Sequence, residues 1–330
     1  MGNSCTRDLV EPRGKKEDLL FFSGRNPEST TSLSLDHGQI STHCPAKMPS
    51  SLDDVVSVVA PLELLPAVQK PSPRRYVLGV IGGSSLFHAK SFSADLKETV
   101  IETEFGGVVA HVGNWRQWDL QIVFIQRHHA DPDGEYKQPR QINFRAIATA
   151  LKTVQCDAVL GVYSVGSMNA QISVGRLVVP EDYFNPFDIL HMSREYDAHV
   201  VPDVCTQLRE RLVRVLQESQ RDPYDGGVYI QTAGPRFETK AEVRFFKQFG
   251  ELIGMTGANE AELINELRIP FAMISIVDNL ANGIGEQLTL EAFKVAQKIN
   301  CEIMEAAVCA VLNDLAEHGF LAQLLPPTTA

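Results

Sequence analysis

Six short apolar runs, interleaved with stretches of helical periodicity, constrain this chain more than any other feature. The runs are YVLGVI (76–81), LQIVFI (120–125), DAVLGVYSV (157–165), RLVVP (176–180), GVYIQT (227–232) and FAMISIVD (271–278). Their length and branched side chains predict buried strands. Apolar residues recur with a 3.6-residue period over 142–151, 208–216, 241–249, 261–267 and about 289–315. In the last of these, Phe293, Ala296, Ile299 and Ile303 share one helical face. Strands alternating with helices predict an α/β domain with a mixed, mostly parallel sheet flanked by helices. Such sheets place ligands at the carboxyl ends of their strands.

The chain has 330 residues, 44% hydrophobic and 22% charged, enough for one sizeable core. A net charge of −11 with no basic stripe excludes nucleic acid as a partner and points to small substrates. Cys5, Cys44, Cys156, Cys205, Cys301 and Cys309 are scattered without a C-x-x-C pair. Neither a metal site nor a disulfide framework is expected, and a reducing, cytoplasmic setting fits. No apolar run approaches the roughly 18 residues that span a bilayer, and no secretory signal opens the chain.

Residues 7–70 are rich in Ser, Pro, Gly and charge. The organisation expected is a disordered tail over 1–70, a folded domain over 71–318 and a flexible C-terminus over 319–330. Within the tail, LDDVVSVVAPLELLPAVQ is apolar enough to pack on the core or on a partner. The opening MGNSCT fits the M-G-x-x-x-[ST] acylation pattern, with Gly2 as the myristoyl site and Cys5 placed for a palmitoyl chain. Two chains would hold the protein peripherally on the cytoplasmic face of a membrane.

The strand ends carry the polar residues of interest. Gly82-Gly83-Ser84-Ser85 after the first run reads as a loop whose amides can approach an anion, or as a tight turn. It lacks G-x-G-x-x-G, so the dinucleotide fingerprint is not met. Arg127 and His128 follow the second run, where guanidinium and imidazole can grip an oxyanion. Ser164 and Ser167 end the third run, and Met255 and Thr256 precede a helix start. Turn serines and a helix cap are the bland counterparts. In GPRFETKAE, Phe237 and Glu238 could stack on and hydrogen-bond a flat heterocycle, or serve as a core ring and a helix-favouring acid.

GVIGGSSLF, RHH followed by QINFRAIATALK, VGSMNAQISVGRLVVPEDYF, GPRFETKAE and IGMTGANEAELINEL together resemble the trimeric purine nucleoside phosphorylase and methylthioadenosine phosphorylase family over about residues 76–315. The resemblance implies cleavage of a purine nucleoside by inorganic phosphate to free purine and ribose 1-phosphate, with no metal or organic cofactor. It implies that Ser84, Arg127, His128 and Thr256 hold phosphate, helped by Ser164, and that Met255 lies against the ribose. It places Phe237 on the base, Glu238 on the N1–H of a 6-oxopurine, and Asn279 at O6 or N7. Adenine-selective members carry an aspartate at that last place, so Asn279 favours hypoxanthine or guanine, whereas a one-residue shift to Asp278 would favour adenine. Leu290 and Phe293 fall where a histidine meets the 5′ hydroxyl, which suits a methylthio group. A homotrimer is implied, with His199 inserted into a neighbour's pocket.

The sequence departs from the family pattern at three places. His129 replaces a glycine and precedes the longer loop ADPDGEYKQPRQ, Tyr163 replaces a small polar phosphate contact, and Asn259 replaces a proline. The reading is therefore a 6-oxopurine nucleoside phosphorylase acting on methylthioinosine, inosine or guanosine. Its alternatives are a 6-aminopurine methylthioadenosine phosphorylase, a catalytically weak membrane-tethered nucleoside-binding protein, a nucleosidase that uses water, and, most distantly, an oxidoreductase.

Overall fold

A computed structural model describes residues 75–86, 95–187, 189–193 and 199–324. Gly2, Cys5 and the expected tail lie outside them. The described residues form an eleven-stranded sheet with helices packed against it. The strands are β1 (Tyr76–Gly82), β2 (Lys97–Ile101), β3 (Val108–Asn114), β4 (Leu120–Gln126), β5 (Ala158–Ser167), β6 (Leu177–Val179), β7 (Asp182–Phe184), β8 (Tyr224–Asp225), β9 (Val228–Gln231), β10 (Leu252–Gly254) and β11 (Phe271–Leu280). The helices are α1 (Phe144–Thr153), α2 (Thr206–Glu218), α3 (Lys240–Phe246), α4 (Gly257–Glu266), α5 (Leu290–Glu317) and the short α6 (Leu321–Leu324).

All six apolar runs form strands, and all five periodic stretches form helices. The strands that sequence patterning misses are β3, whose VVAHVGN is broken by His111 and Gly113, and the short or exposed ones. β2 reads KETVI and is exposed along most of its length, while β7, β8 and β10 have only two or three residues. The sheet is mixed as expected, its parallel pairs joining β1 to β4, β1 to β5, β11 to β5, β10 to β9, β6 to β8 and β7 to β9.

β5 is the hub. β11 runs parallel along one edge, from Val159 opposite Phe271 to Ser167 opposite Leu280. The other edge is shared between β1, which pairs with residues 158–161, and β10, which pairs with Gly166 and Ser167. Between those two partners the edge at residues 162–165 is left open by the sheet, and the candidate site forms there. Opposite it, the register of β11 slips by one residue between Val277 and Asn279, so Asp278 is the extra residue of a β-bulge.

Packing fixes these ends in place. Leu151 of α1 presses on β1 so closely that a Cβ at Gly79 would collide with it. Leu151 is fully buried, and its truncation to Ala would cost about 2–5 kcal/mol. The helix starts are capped locally: Asn143 accepts from Ala146 N, Thr289 accepts from Ala292 N, and Thr239 forms a reciprocal capping box with Glu242. In α5 the buried stripe begins only at Asn300 and continues through Met304, Ala307, Val308, Val311 and Leu312. Ile299, which shares the apolar face of the early turns, is exposed.

Candidate active site

Ser84, just past the end of β1, meets Ser164 in the neighbouring β5, the Ser84 hydroxyl donating to Ser164 Oγ at 3.1 Å. Behind them, consecutive residues of α5 hold both walls. Asn300 Nδ2 donates to Asp278 Oδ1 at 2.7 Å and to Val277 O at 3.0 Å, while the Cys301 thiol donates to Ser84 O at 3.4 Å. Asp278 Oδ2 is buried with no hydrogen-bond partner among the described residues. Burial pushes the Asp278 carboxyl above its ordinary pKa, and the nearby Asn300 amide and Ser164 hydroxyl temper the rise.

Arg127 lies beneath this loop. Its Nε and Nη2 donate to Glu260 at 2.6 and 3.1 Å, and its remaining bonds reach Ile81 O and Val162 O, each at 3.1 Å. The guanidinium thus fills the gap where β1 and β5 diverge. A Cβ on Gly83 would collide with Nη1, so this close approach requires glycine. The Tyr163 hydroxyl donates to Glu260 Oε2 at 2.7 Å, and its ring lies 4.6 Å from the guanidinium carbon. Burial, the largest single effect, pulls the Arg127 pKa down, but the charge and hydrogen bonds of Glu260 together with Tyr163 and Tyr229 outweigh it, so the group is held above its ordinary value. Tyr163 is pushed well above its own, first by burial and then by Glu260.

His128 is also inward. Its Nδ1 sits 2.7 Å from Lys137 O, so Nδ1 carries the proton and Nε2 is the lone-pair nitrogen. Burial and the charge of Arg127 lower its pKa to about 4, leaving a neutral ring at pH 7. The long loop after His129 explains this setting. It folds back so that Lys137 N donates to His128 O at 2.8 Å and Tyr136 stacks on the imidazole at 5.0 Å.

The start of α4 is filled from within. Tyr229 Oη accepts from Thr256 N at 3.2 Å and Gly257 N at 3.0 Å, and Gln231 Oε1 accepts from Ala258 N at 3.0 Å. These are amides that a helix start leaves open to an anion. Tyr229, Gln231 and Glu260 are site residues that sequence reasoning missed. Tyr229 and Gln231 sit in a strand where they read as sheet formers, and Glu260 reads as an acid favouring a helix N-terminus.

The base end is built on the GPRFE turn. Gly234 has φ +56°, a region that favours glycine, and Met255 packs so closely on it that a Cβ would strike the thioether. Phe237 meets Phe293 edge to face at 5.3 Å, which joins the expected base ring to the expected 5′ wall. Leu290, one helical turn earlier, is half exposed. Glu238 is 7% exposed and accepts from Thr232 Oγ1 at 2.7 Å. Burial raises its pKa, and Thr232 opposes the rise. Asn282 Nδ2 donates to Glu238 O at 3.1 Å, tying the turn to the segment after β11. Asn279 lies beside Gly166, and its Nδ2 donates to Leu280 O at 3.0 Å, leaving a second amide hydrogen. A cleft of about 330 Å³ reaches Thr232 and Met255, with Arg140, Asn143, Asn185 and Asn259 on its walls.

The bulge separates Asp278 from Asn279. Asp278 turns to α5 and the serine pair, and Asn279 to Gly166 at the junction with β10. His199 is elsewhere: it lines a cleft with Pro270 and Phe271 at the opposite end of β11, eight residues or about 26 Å along the strand from Asn279. Among the described residues no cluster of His, Cys, Asp or Glu could hold a metal ion, and no helix is long and apolar enough to cross a membrane.

Residues 77–313 match the phosphorylase superfamily. A probable 6-oxopurine nucleoside phosphorylase of Archaeoglobus fulgidus is 37% identical over 212 residues, 64% of this chain and 85% of the relative. A probable S-methyl-5′-thioinosine phosphorylase of Methanocaldococcus jannaschii is 31% identical over 253 residues, 74% of this chain and 93% of the relative. Among solved structures, a methylthioadenosine phosphorylase from Schistosoma mansoni in complex with adenine aligns with a TM-score of 0.63 at 18% identity, covering 76% of this chain and 96% of the other. At that identity the likeness concerns the fold.

Proposed function

The chain belongs to the phosphorylase superfamily, and we propose that it cleaves the N-glycosidic bond of 6-oxopurine nucleosides with inorganic phosphate, without metal or organic cofactor. The observation that carries this reading is Glu238, a buried carboxylate with one hydroxyl donor, set beside the Phe237 ring at the end of the GPRFE turn. A 6-oxopurine brings an N1–H to that carboxylate, and adenine does not. The second amide hydrogen of Asn279 serves O6 or N7. The names of the relatives from A. fulgidus and M. jannaschii support the same base class.

As the glycosidic bond lengthens, positive charge grows on the sugar and negative charge on the purine. Phosphate stabilises the sugar from the side of Ser84 and Ser164, while Glu238 and Asn279 orient the leaving base. Hydrogen phosphate bonds through one oxygen to C1′ as the bond to the purine nitrogen breaks, and the proton that the phosphate gives up goes to the leaving purine. His128, Arg127 and Thr256 frame the anion side, and Met255 lies along the ribose. The Phe237–Phe293 contact forms an apolar wall that favours a 5′-methylthio group over a hydroxyl.

The test is base release from inosine, guanosine, adenosine, methylthioinosine and methylthioadenosine, each with and without phosphate. Phosphate-dependent cleavage of the 6-oxo compounds is expected; cleavage confined to 6-amino compounds would overturn the base assignment. The proposal includes a homotrimer in which His199 of one copy completes a neighbour's 5′ pocket, checked by sedimentation and by a raised KM in His199→Ala. Acylation at Gly2 and Cys5 rests on the sequence pattern alone, and unchanged membrane fractionation of Gly2→Ala would remove it.

A further inference from the structure

The anion side of this site is unusual in what it offers a ligand. The Arg127 charge is already matched by Glu260 within a buried ion pair. His128 is neutral and has spent its only N–H on Lys137 O. The Ser84 hydroxyl donates to Ser164. The first amides of α4 are taken by Tyr229 and Gln231. Most donors named for this subsite are therefore committed; Ser164, which accepts from Ser84, turns its own hydroxyl to the Asp278 carboxyl, and the buried Ser85 hydroxyl has no partner, while Asp278 Oδ2 is buried and makes no hydrogen bond of ordinary geometry among the described residues.

Such an oxygen is costly to leave bare, and a fully ionised anion beside it would be repelled. An oxyanion that still carries a proton reverses both terms, because its P–O–H donates to the carboxylate. The charged groups that act on Cys301, next to Asn300, are Asp278, Glu305 and Glu302, all acidic, so none of them supplies positive charge there. The bulge at Asp278 is what turns its side chain to the serine pair while Asn279 serves the base, and Asn300 on α5 fixes the other carboxylate oxygen.

We propose that Asp278 reads the proton on the attacking oxyanion, so that the subsite formed with Ser84 and Ser164 accepts protonated phosphate and refuses fully ionised sulfate. This rests on the reading that the β1 loop holds the phosphate. Asp278 is thereby a specificity-determining residue for the co-substrate, distinct from the residues that select the base. Arsenate, which keeps a proton at neutral pH, passes the same test as phosphate.

The experiment is calorimetric titration of the full chain with phosphate, arsenate and sulfate at matched ionic strength and pH 7, repeated with Asp278→Asn. The wild-type protein is expected to bind phosphate and arsenate at least about 50-fold more tightly than sulfate. In Asp278→Asn the phosphate-to-sulfate ratio should collapse to within about fivefold, because the amide donates where the carboxylate only accepts. Comparable affinity for sulfate and phosphate in the wild type, an unchanged ratio in a folded Asp278→Asn, or binding of none of the three anions overturns the proposal. If the variant does not fold, the wild-type ratios decide alone. Selective phosphate binding without nucleoside cleavage would sink phosphorolysis and leave the role of Asp278 standing; phosphate-dependent cleavage with sulfate bound equally well would do the reverse.

Discussion

Arg127 and Glu260 form a two-point ion pair at 2.6 and 3.1 Å with both side chains almost wholly buried. Removing one partner strands the other charge in the interior. Glu260→Ala should therefore lower unfolding stability by about 3–5 kcal/mol, whereas Tyr163→Phe, which removes one hydrogen bond to the pair, should cost about 1 kcal/mol. Urea titration of both variants checks the ordering, and a Glu260→Ala loss below that of Tyr163→Phe would contradict it.

Base choice is expected to follow one amide. Asn279→Asp replaces a donor with an acceptor beside Gly166, and should shift the ratio of kcat/KM for inosine over adenosine toward adenosine by about 10- to 100-fold. The same ratio in Asp278→Asn should stay within about threefold of wild type, because Asp278 faces α5 and the serine pair.

Glu238→Gln keeps shape and removes the acceptor-only character of the side chain. It should reduce kcat/KM for inosine by about 100-fold, since the amide cannot accept N1–H as a carboxylate does. Its stability should be unchanged or raised, because burial holds the native carboxyl above its ordinary pKa. Thermal unfolding and steady-state kinetics on one preparation separate the two effects.

His128 gives a pH dependence of definite sign. Its pKa falls from 6.5 in the open chain to about 4 in the fold, so between those values the unfolded state binds more protons. Stability contributed at this residue is complete above about pH 6.5 and is lost as pH falls toward 4, by at most about 3 kcal/mol. His128→Gln should flatten the difference curve over that window; a wild-type-minus-variant difference that does not change with pH would show that the imidazole is not held neutral.

Much of the site could be read along the chain because strand ends advertise themselves. Ser84, Arg127 and Asn279 follow apolar runs and lie at or just past the ends of β1, β4 and β11, while Ser164 sits among the last residues of β5 and Glu238 in the segment that joins β9 to α3. What could not be read was how the polar groups pair. Glu260 belongs to a helix 133 residues after Arg127, Tyr229 looks like any aromatic in a strand, and a bulge has no local sequence signature. The same limit explains the strands that were missed: β10 has three residues and exists because β5 and β9 flank it. The long loop at 130–141, a departure from the family pattern, packs on His128 through Lys137 and Tyr136, a partnership with no signal in the sequence.

The helix α5 touches both ends of the site. Phe293 meets Phe237, and seven residues later, about 10 Å along the axis, Asn300 and Cys301 hold Asp278 and the Ser84 loop. A rigid rod fastened at two points cannot release one without disturbing the other. The ring wall at Phe237 and the carboxylate-and-serine wall at Asp278 and Ser84 are therefore mechanically joined: a change that shifts α5 at Phe293 is carried to Asn300 and Cys301.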